Sequence, residues 1–194
     1  MPQAVKKMNA KWKSFLNETK LRIFDFDDTL VKTDAKITVT YPDGKIKELT
    51  PGEYATHEID EENEYDFSEF ERPRLINPRE IEKVTNVLRN VVNASGDREV
   101  AILTARAPSS QNAIVDYLEQ IGIDHQSIEI VLLGTSDPTA KANWIENKIV
   151  DGATDVLFLD DSGKNVQAVK KLSDMYPNVK LDVRKVDYAS EIED

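Results

Sequence analysis

Hydrophobic positions along the chain follow two spacings in turn. Val5, Met8, Trp12, Phe15 and Leu16 recur at helical spacing and predict an amphipathic first helix over residues 4–18. Leu21 to Phe24, interrupted only by Arg22, then reads as a strand ending at Asp25. From Val31 onward the pattern alternates. Ile37, Val39 and Tyr41 are followed by Pro42-Asp43-Gly44 and Ile46, a hairpin signal in which Gly44 supplies the positive φ of the turn. Arg72-Pro73 closes this inserted region, about 31–73.

Beyond it, Asn77 and Pro78 predict a helix start, with Asn77 as cap, Pro78 in the first turn and Glu80 reaching back. The buried stripe of that helix is Ile81, Val84, Leu88 and Val91 or Val92, and Gly96 ends it. Strands and helices then alternate: strand Val100–Leu103, a helix buried through Ile114, Leu118 and Ile121, strand Ile128–Leu133, a helix from about Thr139 to Ile149, strand Val156–Leu159, a helix from Ser162 to about Leu172, and strand Leu181–Val186. Such alternation implies right-handed crossovers and a mostly parallel sheet covered on both faces. The expected fold is therefore α/β, a three-layer Rossmann-like domain over 1–194 with a small hairpin and acidic cap as its insertion.

Composition narrows the picture in two places. A chain of 194 residues buries roughly 70% of its extended surface and can build a core without staples. It contains no cysteine, which removes disulfides, thiolate metal sites and a cysteine nucleophile. No apolar run approaches the roughly 20 residues of a membrane helix, and the lysine-dotted N-terminal stretch has no signal-like apolar block. A cytoplasmic protein without membrane contact is the expectation. Of the 36 acidic residues, ten lie between Glu48 and Glu71 with no Lys or Arg among them, so most of the net charge of -11 sits in one segment. That segment would repel a polyanion. A solvated acidic loop and a charge gate for substrates are its two readings.

In open α/β sheets ligands bind beyond the carboxyl ends of the strands. After the first strand stands Asp25-Phe26-Asp27-Asp28-Thr29-Leu30. Side chains two apart on extended backbone point the same way, so Asp25 and Asp27 can share a pocket. Carboxylates that close repel unless a cation lies between them or one keeps a proton, and either outcome has a chemical use. Thr29 could add a hydroxyl; acids that merely cap a helix or line a solvated turn are the alternative. Thr104-Ala105-Arg106 follows the strand Val100–Leu103 and offers a hydroxyl, backbone N–H groups and a guanidinium suited to phosphate. Asp160-Asp161-Ser162-Gly163-Lys164-Asn165 follows Val156–Leu159, and Lys141 opens the helix after Leu133. Polar clusters at four successive strand ends are a sharper signal than any one of them.

These residues resemble the haloacid dehalogenase superfamily. Asp25-x-Asp27-x-Thr29 resembles its first motif, Thr104 its second, Lys141 its third and Asp160-Asp161-x-x-x-Asn165 its fourth, in the right order over about residues 20–175. The resemblance implies a Mg²⁺-dependent phosphatase. Asp25 would attack phosphorus and form an aspartyl-phosphate, while Asp27 would protonate the leaving oxygen, activate water and touch the metal through its carbonyl. Thr104, Ala105 N–H and Lys141 would hold phosphoryl oxygens, Thr29 would assist, and Asp161 would bind Mg²⁺ with Asp25 while Asp160 supports it or ligates through water. Since the dehalogenase branch lacks the second aspartate, Asp27 points to phosphate ester hydrolysis. Lys148 and Lys164 are rivals to Lys141 for the phosphate lysine. Arg106 would contact a second anionic group or lie on the surface.

The Thr104-Ala105-Arg106 loop and the Asp160-Asp161 pair are similar in style to the phosphatase domains of polynucleotide kinase-phosphatases. No Gly-x-x-x-x-Gly-Lys-Ser/Thr loop occurs, so no kinase half is expected. A nucleotide or nucleic-acid end ranks narrowly ahead of a small phosphorylated metabolite as substrate, and a non-catalytic phosphate-binding module on the same fold is the rival from another class.

Overall fold

The computed structural model describes residues 19–94 and 96–192; the helix expected over 4–18 lies outside them. The central sheet is built from β1 (Thr19–Phe24), β7 (Arg98–Thr104), β8 (Glu129–Leu132), β9 (Ala153–Asp160) and β10 (Lys180–Lys185). Its order is β10-β9-β1-β7-β8, and every pairing is parallel. Successive side chains on a strand face opposite ways, so each strand feeds both faces. Phe24, Ile102 and Leu159 pack with α2 (Glu82–Asn93) and α3 (Gln111–Gln120) through Val84, Leu88, Ile114 and Leu118. Leu21, Ile23, Leu103, Val156 and Phe158 pack on the other face against α4 (Pro138–Val150), α5 (Gly163–Lys170) and α6 (Leu172–Met175). The result is an α/β arrangement with helices on both faces of a five-stranded sheet, compatible with a Rossmann-like fold. No helix among the described residues is long and apolar enough to cross a membrane.

The insertion is more structured than a hairpin with a loop. β3 (Ile37–Thr40) pairs antiparallel with β4 (Ile46–Leu49), turning at Gly44 with φ +82° as expected. β5 (Glu64–Asp66) adds to the other edge of β3, giving a three-stranded sheet. Between β4 and β5 lies α1 (Pro51–Thr56), started by a capping box in which Thr50 and Glu53 satisfy each other's backbone N–H. Ala35, Ile37, Val39, Leu49 and Phe70 form a small core of the cap. The acidic segment therefore has a folded backbone, with most of its carboxylates exposed, in place of the solvated loop.

One helix start differs from expectation. Arg79–Glu80 is a strand, β6, paired antiparallel with β2 (Val31–Lys32), and α2 begins only at Glu82. Asn77 sits at φ +43° and caps nothing; its side chain and that of Arg79 donate to Asp34. Glu80 reaches forward, accepting from the Thr85 hydroxyl and pairing with Arg89. A ladder to β2, far away in sequence, outcompetes the local helix signal, as long-range pairing commonly overrides local preference. At its other end α2 stops at Asn93 with an extended cap at Ala94, ahead of Gly96 at φ +112°.

Candidate active site

The strand order reverses direction at β1, so the crevice beyond the ends of β1, β7 and β9 is the expected ligand position. Asp25 N donates to Leu159 O at 2.9 Å and ties the end of β1 to β9. The chain then turns tightly: Leu30 N and Val31 N both donate to Phe26 O, and Asp28 adopts φ +53°, a strained conformation for a residue other than glycine. Asp25 and Asp27 end up lining one cavity of about 660 Å³, together with Thr104, Ala105, Arg106, Lys141 and Asp161.

At its floor lies a buried charged cluster. The Lys141 ammonium, carried on α4, donates to Asp25 Oδ1 at 2.5 Å and to Asp160 Oδ2 at 2.7 Å. Asp160 also accepts from Ser162 N and from Asn165 Nδ2, so both its oxygens are engaged. Burial alone would lower the Lys141 pKa, but the Asp160 and Asp25 carboxylates outweigh it and hold the ammonium well above the ordinary lysine value. Lys148, at the far end of α4, pairs instead with Glu99 and Glu129 near the surface. Between those two lysines, Lys141 is the one in contact with the carboxylates.

Carboxylate oxygens of Asp25, Asp160 and Asp161 all lie within 4.8 Å of one another. Burial pushes Asp25 up to about 7, with Lys141 opposing and Asp160 and Asp27 adding to the rise. Burial also pushes Asp161 up to about 9, assisted by Asp25, Asp160 and Asp28 and opposed by Lys141. Crowded carboxylates, two of which, Asp25 and Asp161, are pushed toward their protonated forms despite the Lys141 ammonium, fit a hard divalent ion with oxygen ligands. Asp25 and Asp161 are the two best placed to hold it, because Asp160 is committed to Lys141, Ser162 and Asn165.

These raised values fix a sign for stability. In the metal-free protein Asp25 and Asp161 keep protons that the unfolded chain releases near 3.8. Their contribution is complete below that pH and is lost as pH rises through about 7 and then about 9. Thermal melts in EDTA should show the melting temperature falling from pH 5 to pH 9, with a flatter profile above pH 7 for Asp161→Asn. Parallel profiles for the two proteins would contradict the assignment.

Arg106 is neither a surface residue nor a free anion contact. Its side chain is 3% exposed, donating Nε to Asp27 Oδ2 at 2.9 Å and NH2 to Asp27 Oδ1 at 2.7 Å. NH1 donates to the Phe70 carbonyl at 2.8 Å, and Ser110 Oγ donates to the same oxygen. A bidentate pair of this kind fixes carboxylate orientation, and through Phe70 it ties Asp27 to the cap. Thr104 is buried in the cavity wall beside Ala105, and its hydroxyl accepts from Arg106 N at 3.2 Å. Thr29 departs from its expected role: fully buried, it accepts from Asp161 N at 3.1 Å and so positions the Asp161 loop without facing the cavity.

The sequence reading missed Asp28, whose carboxyl is pushed up to about 6 by burial and by Asp27, with Lys32 opposing. It also missed the cap residues Tyr54, Ile59, Phe67 and Phe70, which complete the cavity wall. Their signal was present as apolar residues standing at intervals inside an acidic run. The chain matches no family model, and no curated protein or solved structure is significantly similar to it.

Proposed function

We propose that the protein is a Mg²⁺-dependent phosphatase of the haloacid dehalogenase type, hydrolysing a phosphomonoester through an aspartyl-phosphate on Asp25. The observation that supports this most is the buried Lys141 ammonium held between Asp25 and Asp160, next to Asp161 and in the cavity into which Asp27 faces. Asp25 Oδ forms a bond to phosphorus as the ester P–O bond breaks, and Asp27, after taking up a proton from solvent and freeing one oxygen from Arg106 as substrate binds, passes that proton to the departing alkoxide. Asp27, now a carboxylate oriented by Arg106, takes a proton from water; the water oxygen bonds to phosphorus, the acyl-phosphate bond breaks and inorganic phosphate leaves. Lys141, Thr104 and the Ala105 N–H hold the charge that builds on the phosphoryl oxygens. Asp25, Asp161 and the Asp27 carbonyl would hold Mg²⁺, which would supply further neutralisation of that charge.

Hydrolysis of p-nitrophenyl phosphate is the direct test. Turnover should require Mg²⁺, vanish in EDTA and return when Mg²⁺ is restored in excess. Absence of turnover in every condition would favour a phosphate-binding module without catalysis. A nucleotide-sized ester suits the cavity volume; a polynucleotide end would have to pass the exposed carboxylates of the cap, which disfavours it.

A further inference from the structure

Two of the large apolar side chains that the fold leaves exposed, Ile59 at 52% and Phe67 at 36%, come from the acidic cap segment and line the cavity. Neither belongs to the small core of the cap. Tyr54 stands edge-to-face with Phe67 at 5.3 Å between centroids, and its hydroxyl lies 3.5 Å from Ser136 Oγ across the cavity mouth. The upper wall is thus an aromatic and aliphatic surface facing a charged floor. On that floor the cations are already engaged, Lys141 by Asp25 and Asp160 and Arg106 by Asp27. Among the described lining residues, Lys164 is the cation without a carboxylate partner, and the same lining includes the acids Glu71, Asp137 and Asp161. A second phosphoryl group would find little to neutralise it, while a flat apolar group would cover surface now left to water.

We infer that the cap selects small phosphomonoesters with one phosphoryl group and a flat, apolar or aromatic leaving group, stacked against Phe67, Ile59 and Tyr54. The inference rests on the phosphatase reading and adds the substrate class. Benzyl phosphate and ethyl phosphate test it, because both release primary alcohols of similar acidity and differ in the ring. The wild type should favour benzyl phosphate in kcat/KM by roughly tenfold or more, the range of one well-packed aromatic contact. Phe67→Ala should reduce that ratio at least several-fold, and Ile59→Ser should reduce it too, so that the result does not hang on the folding of one variant. A single phosphate on the end of a ten-residue oligothymidylate should be a poorer substrate than thymidine monophosphate. Equal kcat/KM for benzyl and ethyl phosphate, or preference for the oligonucleotide, would overturn the inference while leaving the phosphatase reading intact. No Mg²⁺-dependent turnover of any of the esters would overturn both.

Discussion

If the phosphatase proposal holds, replacing Asp25 with Asn should reduce Mg²⁺-dependent phosphate release by on the order of 10⁴-fold or more, the scale on which removal of a covalent nucleophile is felt in hydrolases. Asp25 holds one end of the Lys141 bridge and shares the candidate cation site with Asp161; on the proposed mechanism the substitution removes both the attacking oxygen and a ligand charge. A second readout separates these contributions. Beryllium fluoride with Mg²⁺ imitates a phosphoryl group on a carboxylate, and a ligand that binds only the native state raises its melting temperature. The wild type should show such a rise, whereas Asp25→Ala should show none beyond that of Mg²⁺ alone. Equal stabilisation of both proteins would remove Asp25 from the nucleophile role while leaving the cation site in place.

The second large effect concerns stability. Lys141→Met removes the positive charge held between Asp25 and Asp160, whose side chains are 8% and 0% exposed. Removing one partner of a buried ion pair costs about 3–5 kcal/mol, because the remaining charge stays behind without compensation. The variant should therefore unfold at markedly lower urea concentration in EDTA. Without the ammonium, which opposes the rise, Asp25 holds its proton to still higher pH, so the deficit should be larger at pH 8 than at pH 5. Mg²⁺ should recover part of the loss at pH 8 by standing in as a counter-charge. A deficit that ignores both pH and Mg²⁺ would mean that Lys141 acts through packing alone. The aliphatic stem of methionine keeps most of the side-chain volume, which limits that contribution.

Arg106 illustrates how the site is coupled to the cap. Its guanidinium grips Asp27 with two donors and reaches the Phe70 carbonyl with a third. Since Phe70 belongs to the small core of the cap, any displacement of the cap disturbs the support of Asp27. Backbone carbonyls carry no sequence signal, which is why the reading of Thr104-Ala105-Arg106 as a phosphate loop left Arg106 between an anion contact and a surface residue.

The periodic segments were the most legible part of the chain. Strands β1, β7, β8, β9 and β10 and helices α3 to α5 lie within a few residues of where hydrophobic spacing put them, because each buries a stripe or a face whose period is local. The candidate site was legible for the related reason that a parallel sheet presents the ends of its strands on one side, so Asp25, Thr104 and Asp160 had to converge once the strands were placed. What the sequence could not supply was anything set by pairing across distance. The β2–β6 ladder displaced a local helix signal at Asn77 and Pro78, β5 joined the cap sheet from within an acidic run, and Thr29 turned inward to hold Asp161. The partners in those contacts are separated by dozens of residues, and their energies depend on geometry that exists only after the chain has closed. Composition and periodicity thus determined the layers and the row of acids along one edge; tertiary packing alone decided which acid meets Lys141, which meets Arg106, and what the cap lays over them.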